Sequence, residues 1–143
     1  MLTAADALSH LRQLVSLWPE VDERESHGSP TFWGGKKTFC IFHASTDKYG
    51  GRAIWIKTTT SAQQDLVEND PERFFVPPYV GVRGWVAVRV GEGIDWALIE
   101  ELLEDAYRSV APKRAIKALE LMRSGVSDPS ADADPKRKKS PPR

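Results

Sequence analysis

The 143-residue sequence is poor in cysteine: Cys40 stands alone, so no disulfide can form within the chain. A lone thiol fits a reducing compartment, and a cytoplasmic location is the expectation. There is no run of 18 apolar residues, so neither a membrane-spanning helix nor a membrane partner is expected. The opening stretch MLTAADALSH lacks the basic start, apolar centre and small-residue cleavage site of a signal peptide, so no leader is expected. Histidine is scarce as well. His10, His27 and His43 are scattered, with no CxxC, HxxxH or HExxH spacing, which leaves no metal and no cofactor to expect. A charge excess is also missing, since 20 basic residues face 20 acidic ones. That excludes a uniformly basic nucleic-acid binder while leaving room for a local basic stripe.

What is present is a globular balance, 41% apolar and 28% charged, in a length that suits one core. Residues 3–18 space Leu8, Leu11, Val15 and Trp18 on one helical face, with Thr3 and Asp6 as a capping pair and Pro19 as a stop. Residues 19–35 read as a loop carrying one aromatic pair, Phe32-Trp33. Residues 36–44 and 52–58 are rich in Phe, Ile, Thr and Trp and read as strands joined by a turn. Ser61 with Gln64 suggests a capped helix to about Asn69, closed by Asp70-Pro71. Pro77-Pro78 confines residues 74–82 to an edge strand or a loop. Residues 85–90 alternate as a strand, with Val86, Val88 and Val90 on one face and Trp85, Ala87 and Arg89 on the other. Asp95 caps a helix to Val110, striped by Ile99, Leu102, Leu103, Ala106, Tyr107 and Val110; Pro112 breaks it, and a last helix follows to Arg123. This is an α+β order, α-β-β-α-β-β-α-like with an extra C-terminal helix. It predicts two layers, a single antiparallel sheet with helices on one face. The domain is expected to span residues 1–125. Residues 126–143, rich in Ser, Pro, Asp and Lys, are expected to be a disordered basic tail with five bases and three acids.

The landmarks of this order resemble a known family. His27-Gly28-Ser29-Pro30-Thr31-Phe32 precedes Gly35-Lys36-Lys37, and Asp70-Pro71, Phe74-Phe75 and Pro77-Pro78-Tyr79-Val80-Gly81 follow. Arg83-Gly84-Trp85-Val86-Ala87-Val88, Asp95-Trp96 and Ser109-Val110-Ala111-Pro112-Lys113-Arg114 complete the series. Over roughly residues 5–116 the sequence looks like the MmcQ/YjbR family of small bacterial proteins. The resemblance implies a fold akin to secretion chaperones and to frataxin-like CyaY, and a double-wing DNA-binding motif, so DNA is the implied partner.

The residues themselves offer three readings. The first is non-enzymatic contact with nucleic-acid backbone, without strong sequence preference. Its carriers would be Lys36, Lys37, Arg83, Arg89, Lys113, Arg114 and Lys117, with Lys136, Arg137, Lys138 and Lys139 of the tail as a mobile arm. Exposed tryptophans, Trp33 and Trp85, would then stack on unpaired bases. The second is a protein- or ligand-binding module with His27, Phe32, Trp33, Tyr79 and Trp85 lining an aromatic cleft. The third is an enzyme using His27 with Tyr79, Tyr107 or Lys113 as an acid–base set, although no GxSxG elbow or third orienting acid is evident. A Cys40–His43 dyad is ruled out, because strand positions i and i+3 point to opposite faces. No catalytic residue is therefore assigned.

Overall fold

A computed structural model describes residues 2–125; the expected tail, with Lys136, Arg137, Lys138 and Lys139, lies outside the described residues. The chain divides into two compact units, Met1–Ala111 and Pro112–Arg143.

In the first unit, α1 (Ala4–Val15) is capped by Thr3. The Thr3 hydroxyl accepts the Asp6 amide at 3.0 Å and the Asp6 carboxylate accepts the Thr3 amide at 3.2 Å, the reciprocal box that the sequence predicts. These bonds hold the Asp6 carboxyl below its ordinary value. The helix stops at Val15 rather than at Trp18: Ser16 forms the C-cap, and Trp18 is buried from the turn that follows.

Residues 19–35 correct the sequence reading, for they form a hairpin rather than a loop. β1 (Val21–Ser26) and β2 (Ser29–Gly34) pair antiparallel in register from Val21–Gly34 to Ser26–Ser29. The two residues between them, His27 and Gly28, both have positive φ (54° and 81°), the signature of a primed two-residue turn. Asn-Gly is the usual sequence for that turn, and histidine is the less common residue that tolerates it. β1 carries Asp22, Glu23 and Glu25 and no apolar alternation beyond Val21, so it reads as loop although it is a charged sheet edge. Arg12 grips Glu23 with two bonds of 2.9 and 2.6 Å and ties that edge to α1.

β3 (Lys37–His43), β4 (Ala53–Ile56), β5 (Phe74–Phe75) and β6 (Val86–Arg89) complete a six-stranded, fully antiparallel sheet in the order β1-β2-β3-β4-β6-β5. β5 is two residues long, as the following Pro77-Pro78 demands, and β6 starts at Val86. Register sorts the side chains: Phe32 pairs with Cys40, Cys40 with Ile56, Ile56 with Val86, and likewise Phe42, Ile54, Val88 and Phe74 follow one another across the sheet. Phe39 is an extra residue opposite the Phe32–Trp33 step, so the bulge lets the consecutive Phe39 and Cys40 both be fully buried.

This face carries the helices. α3 (Trp96–Val110), capped by Asp95 onto the Leu98 amide at 3.1 Å, lies on β2, β3 and β4 and buries Ile99, Leu103, Ala106 and Tyr107. α1 joins it: His10 stacks on Trp96 at 4.0 Å, and Trp18 packs on Tyr107 and Phe39 at 5.2 and 6.4 Å between centroids. The Tyr107 hydroxyl donates to the Pro19 carbonyl at 2.6 Å, and burial beside Glu20 pushes its pKa up. Gly34 lets β2 approach the end of α3, since a Cβ there would sit 3.1 Å from Val110 Cγ2.

α2 (Thr60–Asn69) is capped by Thr59, not by Ser61: Thr59 is extended, and its hydroxyl accepts the Ala62 amide at 3.1 Å. In the second unit, α4 (Lys113–Arg123) follows Pro112 and buries Ala115 and Leu119, with Ile116 half-buried.

Candidate ligand groove and cationic positions

The opposite face of the sheet is uncovered by α1 and α3 and holds a second, smaller core. Ala53, Trp55, Trp85 and Ala87 are buried there, with Ile41, Phe75 and Val80 packed around them. Beside this core lies a groove of about 490 Å³. Its floor is Ser29 and Thr31 of β2, Ile41 and His43 of β3, and Trp55 of β4. The alternation of strand side chains dictates that set, because Thr31 pairs with Ile41 and Ile41 with Trp55, while the intervening Phe32, Cys40 and Phe42 point to the helices. The walls come from three connections: Ser26 and His27 at the β1–β2 turn, Tyr49 in the β3–β4 loop, and Tyr79 and Val80 after Pro77-Pro78.

Four of these residues form one aromatic cluster. His43 stacks on Trp55 at 4.0 Å and 29°, and Tyr49 meets His43, Trp55 and Tyr79 edge-on at 5.2, 6.2 and 6.0 Å. Burial lowers the His43 pKa, so its imidazole is neutral at physiological pH. Thr31 donates its hydroxyl to the Ser29 carbonyl at 3.0 Å. The indole Nε1–H of Trp55 is buried and has no hydrogen-bond partner among the described residues. Among the described residues no lysine, arginine, aspartate or glutamate lines the groove, whose titratable side chains are His27, His43, Tyr49 and Tyr79.

The two tyrosines are held in unusual backbone. Tyr79 has φ 66° and ψ −69°, and the Val80 amide reaches the Pro78 carbonyl at 2.7 Å. That is a γ-turn with positive φ, the rarer and strained of the two forms, and it leaves Tyr79 77% exposed at the groove mouth. The segment is anchored from behind by Gln63 of α2, whose buried amide donates to the Gly81 and Trp85 carbonyls at 2.8 and 2.6 Å. Gly84, at φ 95°, turns the chain into β6 in a space where a Cβ would lie 2.9 Å from the Thr58 carbonyl. Tyr49 has φ 56°, and the next residue, Gly50, packs so close that a Cβ would lie 2.5 Å from the Phe75 ring. Arg89 closes this corner, lying 4.5 Å over Phe75 and donating to the Gly50 carbonyl at 3.2 Å.

The residues singled out from sequence are thus distributed. Of the five aromatic-cleft residues, His27 and Tyr79 line the groove. Trp85 is buried in the small core beneath the same face, Phe32 points to the helices, and Trp33 is half-buried with the Arg24 guanidinium 4.2 Å over its ring. His43, Tyr49 and Trp55 line the groove as well, and the sequence reading does not place them in the cleft. Strand alternation would have placed His43 and Trp55 on a common face only once the β3–β4 register was known.

Among the basic residues, Lys36 and Lys37 at the β2–β3 turn and Arg83 in the 3₁₀ turn Val80–Arg83 are exposed and sit at one end of the sheet. The register puts them there: Lys37 opens β3, and Arg83 lies just before Val86, which pairs with Ile56 at the finish of β4. None of the three makes an ion pair among the described residues. Arg89 pairs with Ala53 at the other end and is engaged by Gly50 and Phe75. Lys113, Arg114 and Lys117 are exposed on or beside α4 in the second unit, apart from Arg114's own interactions.

Of the acid–base candidates, His27 and Tyr79 share the groove, whereas Tyr107 is spent on the Pro19 carbonyl on the helix side. Cys40 is fully buried in the helix-side core, which pushes its thiol pKa far up, and His43 faces the groove. Among the described residues no group of three or more His, Cys, Asp or Glu side chains is placed to hold a metal ion, and no helix is long and apolar enough to cross a membrane.

Comparison with known proteins bears on the whole arrangement. A family model described as YjbR matches residues 17–109. The crystal structure of Deinococcus radiodurans protein DR2400, a DUF419 domain, is similar with a TM-score of 0.64 and 19% identity, over 84% of this chain and 89% of that one. At that identity the likeness is one of fold. No curated protein matches at significance.

Proposed function

The chain belongs to the YjbR family, and from that premise we propose that it acts by binding rather than catalysis, with the open sheet face as its binding surface. One observation carries the reading: a preformed, mostly apolar, aromatic groove of about 490 Å³ on the face the main helices leave bare. Small-molecule sites have this size and character, mostly apolar with a few polar groups that fix orientation. Strained backbone at Tyr79 supports it, since such strain concentrates where a side chain must be presented. A saturation-transfer screen of soluble heteroaromatic fragments tests it with the full chain and with Tyr79→Ser. Binders whose signal drops in the variant are expected; a screen without binders, or with binders indifferent to Tyr79, would sink the reading.

The DNA contact implied by the family is the second reading, favoured by Lys36, Lys37 and Arg83 standing exposed and unpaired at one sheet end. Phosphate contacts there, and separate ones from Lys113, Arg114, Lys117 and the basic run 136–139, would give salt-sensitive and sequence-tolerant binding. Fluorescence anisotropy of labelled duplex and single-stranded DNA at several salt concentrations tests this. Changing Lys36, Lys37 and Arg83 together to glutamate should abolish three contacts and flatten the log–log salt slope by about 2.7 on duplex. An unchanged slope would assign any binding to other residues.

A further inference from the structure

We infer that the groove takes a small organic acid: a flat, apolar body lying along Tyr49 and Tyr79, with its carboxylate held at the β1–β2 turn by the imidazole of His27. This rests on the groove being the binding face, and adds the class of ligand and its orientation. Backbone conformation, unspent side chains and charge lead to it together.

The backbone singles out the contacts. Among the described residues four non-glycine positions have positive φ, and three of them, His27, Tyr49 and Tyr79, at 54°, 56° and 66°, line this one groove. They sit on three separate connections, so no shared local sequence brings them together. Strain of this kind persists where a side chain has to be presented. All three residues are exposed, and none of their side chains is spent on a hydrogen bond among the described residues. Thr31 differs, its hydroxyl being taken by the Ser29 carbonyl. An imidazole and two phenols therefore stand ready to donate beside a floor of Ile41 and Trp55.

Charge then selects the ligand. Two imidazoles, which can take up a proton, line the groove, and among the described residues no carboxylate and no permanent cation does. An amine would find no counter-charge there. A phosphate would lack the arginine, lysine or helix N-terminus that such an anion needs. A carboxylate, singly charged and acceptor-only, is matched by one imidazole N–H. His43 is stacked on Trp55 and kept neutral by burial, whereas His27 is exposed. At His27 the carboxylate stays partly hydrated while the body of the molecule leaves water, which avoids the cost of burying a charge.

Probes with one body and different heads separate this inference from the reading beneath it. Phenylacetate, phenylacetamide and phenethylamine share a flat ring and are anionic, neutral and cationic at neutral pH. Each is titrated into the uniformly ¹⁵N-labelled full chain at fixed ionic strength, with affinities read from the backbone amides of groove-lining residues. The acid should bind about tenfold more tightly than the amide, the contribution of one charge-assisted hydrogen bond at an exposed site. The amine should bind more weakly than either. His27→Asn gives the turn Asn-Gly, its usual pair, so the hairpin is kept while the imidazole is removed. In that variant the acid should fall to the affinity of the amide, whose own binding is unchanged. Tyr79→Ser, a change at an exposed rim residue, should weaken acid and amide alike. Equal affinities of acid and amide, both reduced by Tyr79→Ser, would overturn the acid inference and leave the groove reading standing, as would a preference for the amine. A preference for the acid that survives His27→Asn would overturn the placing of the carboxylate at His27. If no probe perturbs the groove amides, the groove reading and the inference fail together.

Discussion

Tyr79 offers a direct measure of strain built into the groove. Its φ of 66° with ψ −69° is a conformation that a side chain disfavours, at a cost of about 1–3 kcal/mol. Glycine adopts it freely but loses about 0.5–1 kcal/mol more backbone entropy on folding. Because Tyr79 is 77% exposed, removing its ring sacrifices little burial. Its edge-on contact with Tyr49, 6.0 Å between centroids, accounts for roughly 0.5 kcal/mol at this exposure. Tyr79→Ala therefore keeps the strain and loses the contact, whereas Tyr79→Gly loses both. The glycine variant should be more stable than the alanine variant by up to about 2.5 kcal/mol, centred on about 1 kcal/mol, or about 3 °C in Tm for a chain of this size. Urea and thermal unfolding of the two variants, side by side, give the difference with the ring's contribution cancelled. Any groove ligand should be weakened in both, so stability and binding would move in opposite directions in Tyr79→Gly. A glycine variant that unfolds at or below the alanine variant would refute the idea that the γ-turn is strained.

The remaining predictions probe what supports the site. Gly84→Ala combines a φ of 95° with a Cβ 2.9 Å from the Thr58 carbonyl, where only backbone could yield, so a loss of at least about 2 kcal/mol is expected in denaturant unfolding. Gln63→Leu strips the donor from two carbonyls that hold the 81–85 segment; about 2–4 kcal/mol should be lost, and equal stability of the variant would mean that the carbonyls find other donors. For His43 the sign follows from its lowered pKa: below about pH 6.5 the unfolded chain binds a proton that the folded chain resists. Stability should fall as pH drops through that window and level off once the folded state is also protonated. The limb should vanish in His43→Gln, and a pH profile shared by both proteins would exclude His43 as its source.

How far the sequence reaches can be followed residue by residue. Thr3 with Asp6 and Asp95 before the Ile99–Leu103–Tyr107 stripe determine helix starts through bonds that close within one turn. Pro77-Pro78 restricts its strand to a two-residue edge because proline has no amide to give the ladder. In the same way the alternation around Val86 and Val88 sorts β6 into faces without reference to anything distant. These are local rules, and together they specify an α+β chain with one antiparallel sheet. β1 escaped them: its acidic residues bury little, and it is a strand only because β2 supplies hydrogen bonds and His27-Gly28 folds the chain back. The cap of α2 likewise depended on which of several nearby hydroxyls the extended backbone at Thr59 brought into reach.

The groove belongs to the tertiary structure alone. His43, Tyr49, Trp55 and Tyr79 are separated in sequence by up to 36 positions and share no motif. They meet because the β3–β4 register puts His43 and Trp55 on one face while two loops with left-handed residues fold over it. The same register sends Phe32 and Cys40 to the helices and separates Arg89 from Lys36, Lys37 and Arg83. Side-chain direction in a strand has a period of two, so composition and order can say that an aromatic lies on a strand. Which face it shares, and with whom, is decided only when the strands pair.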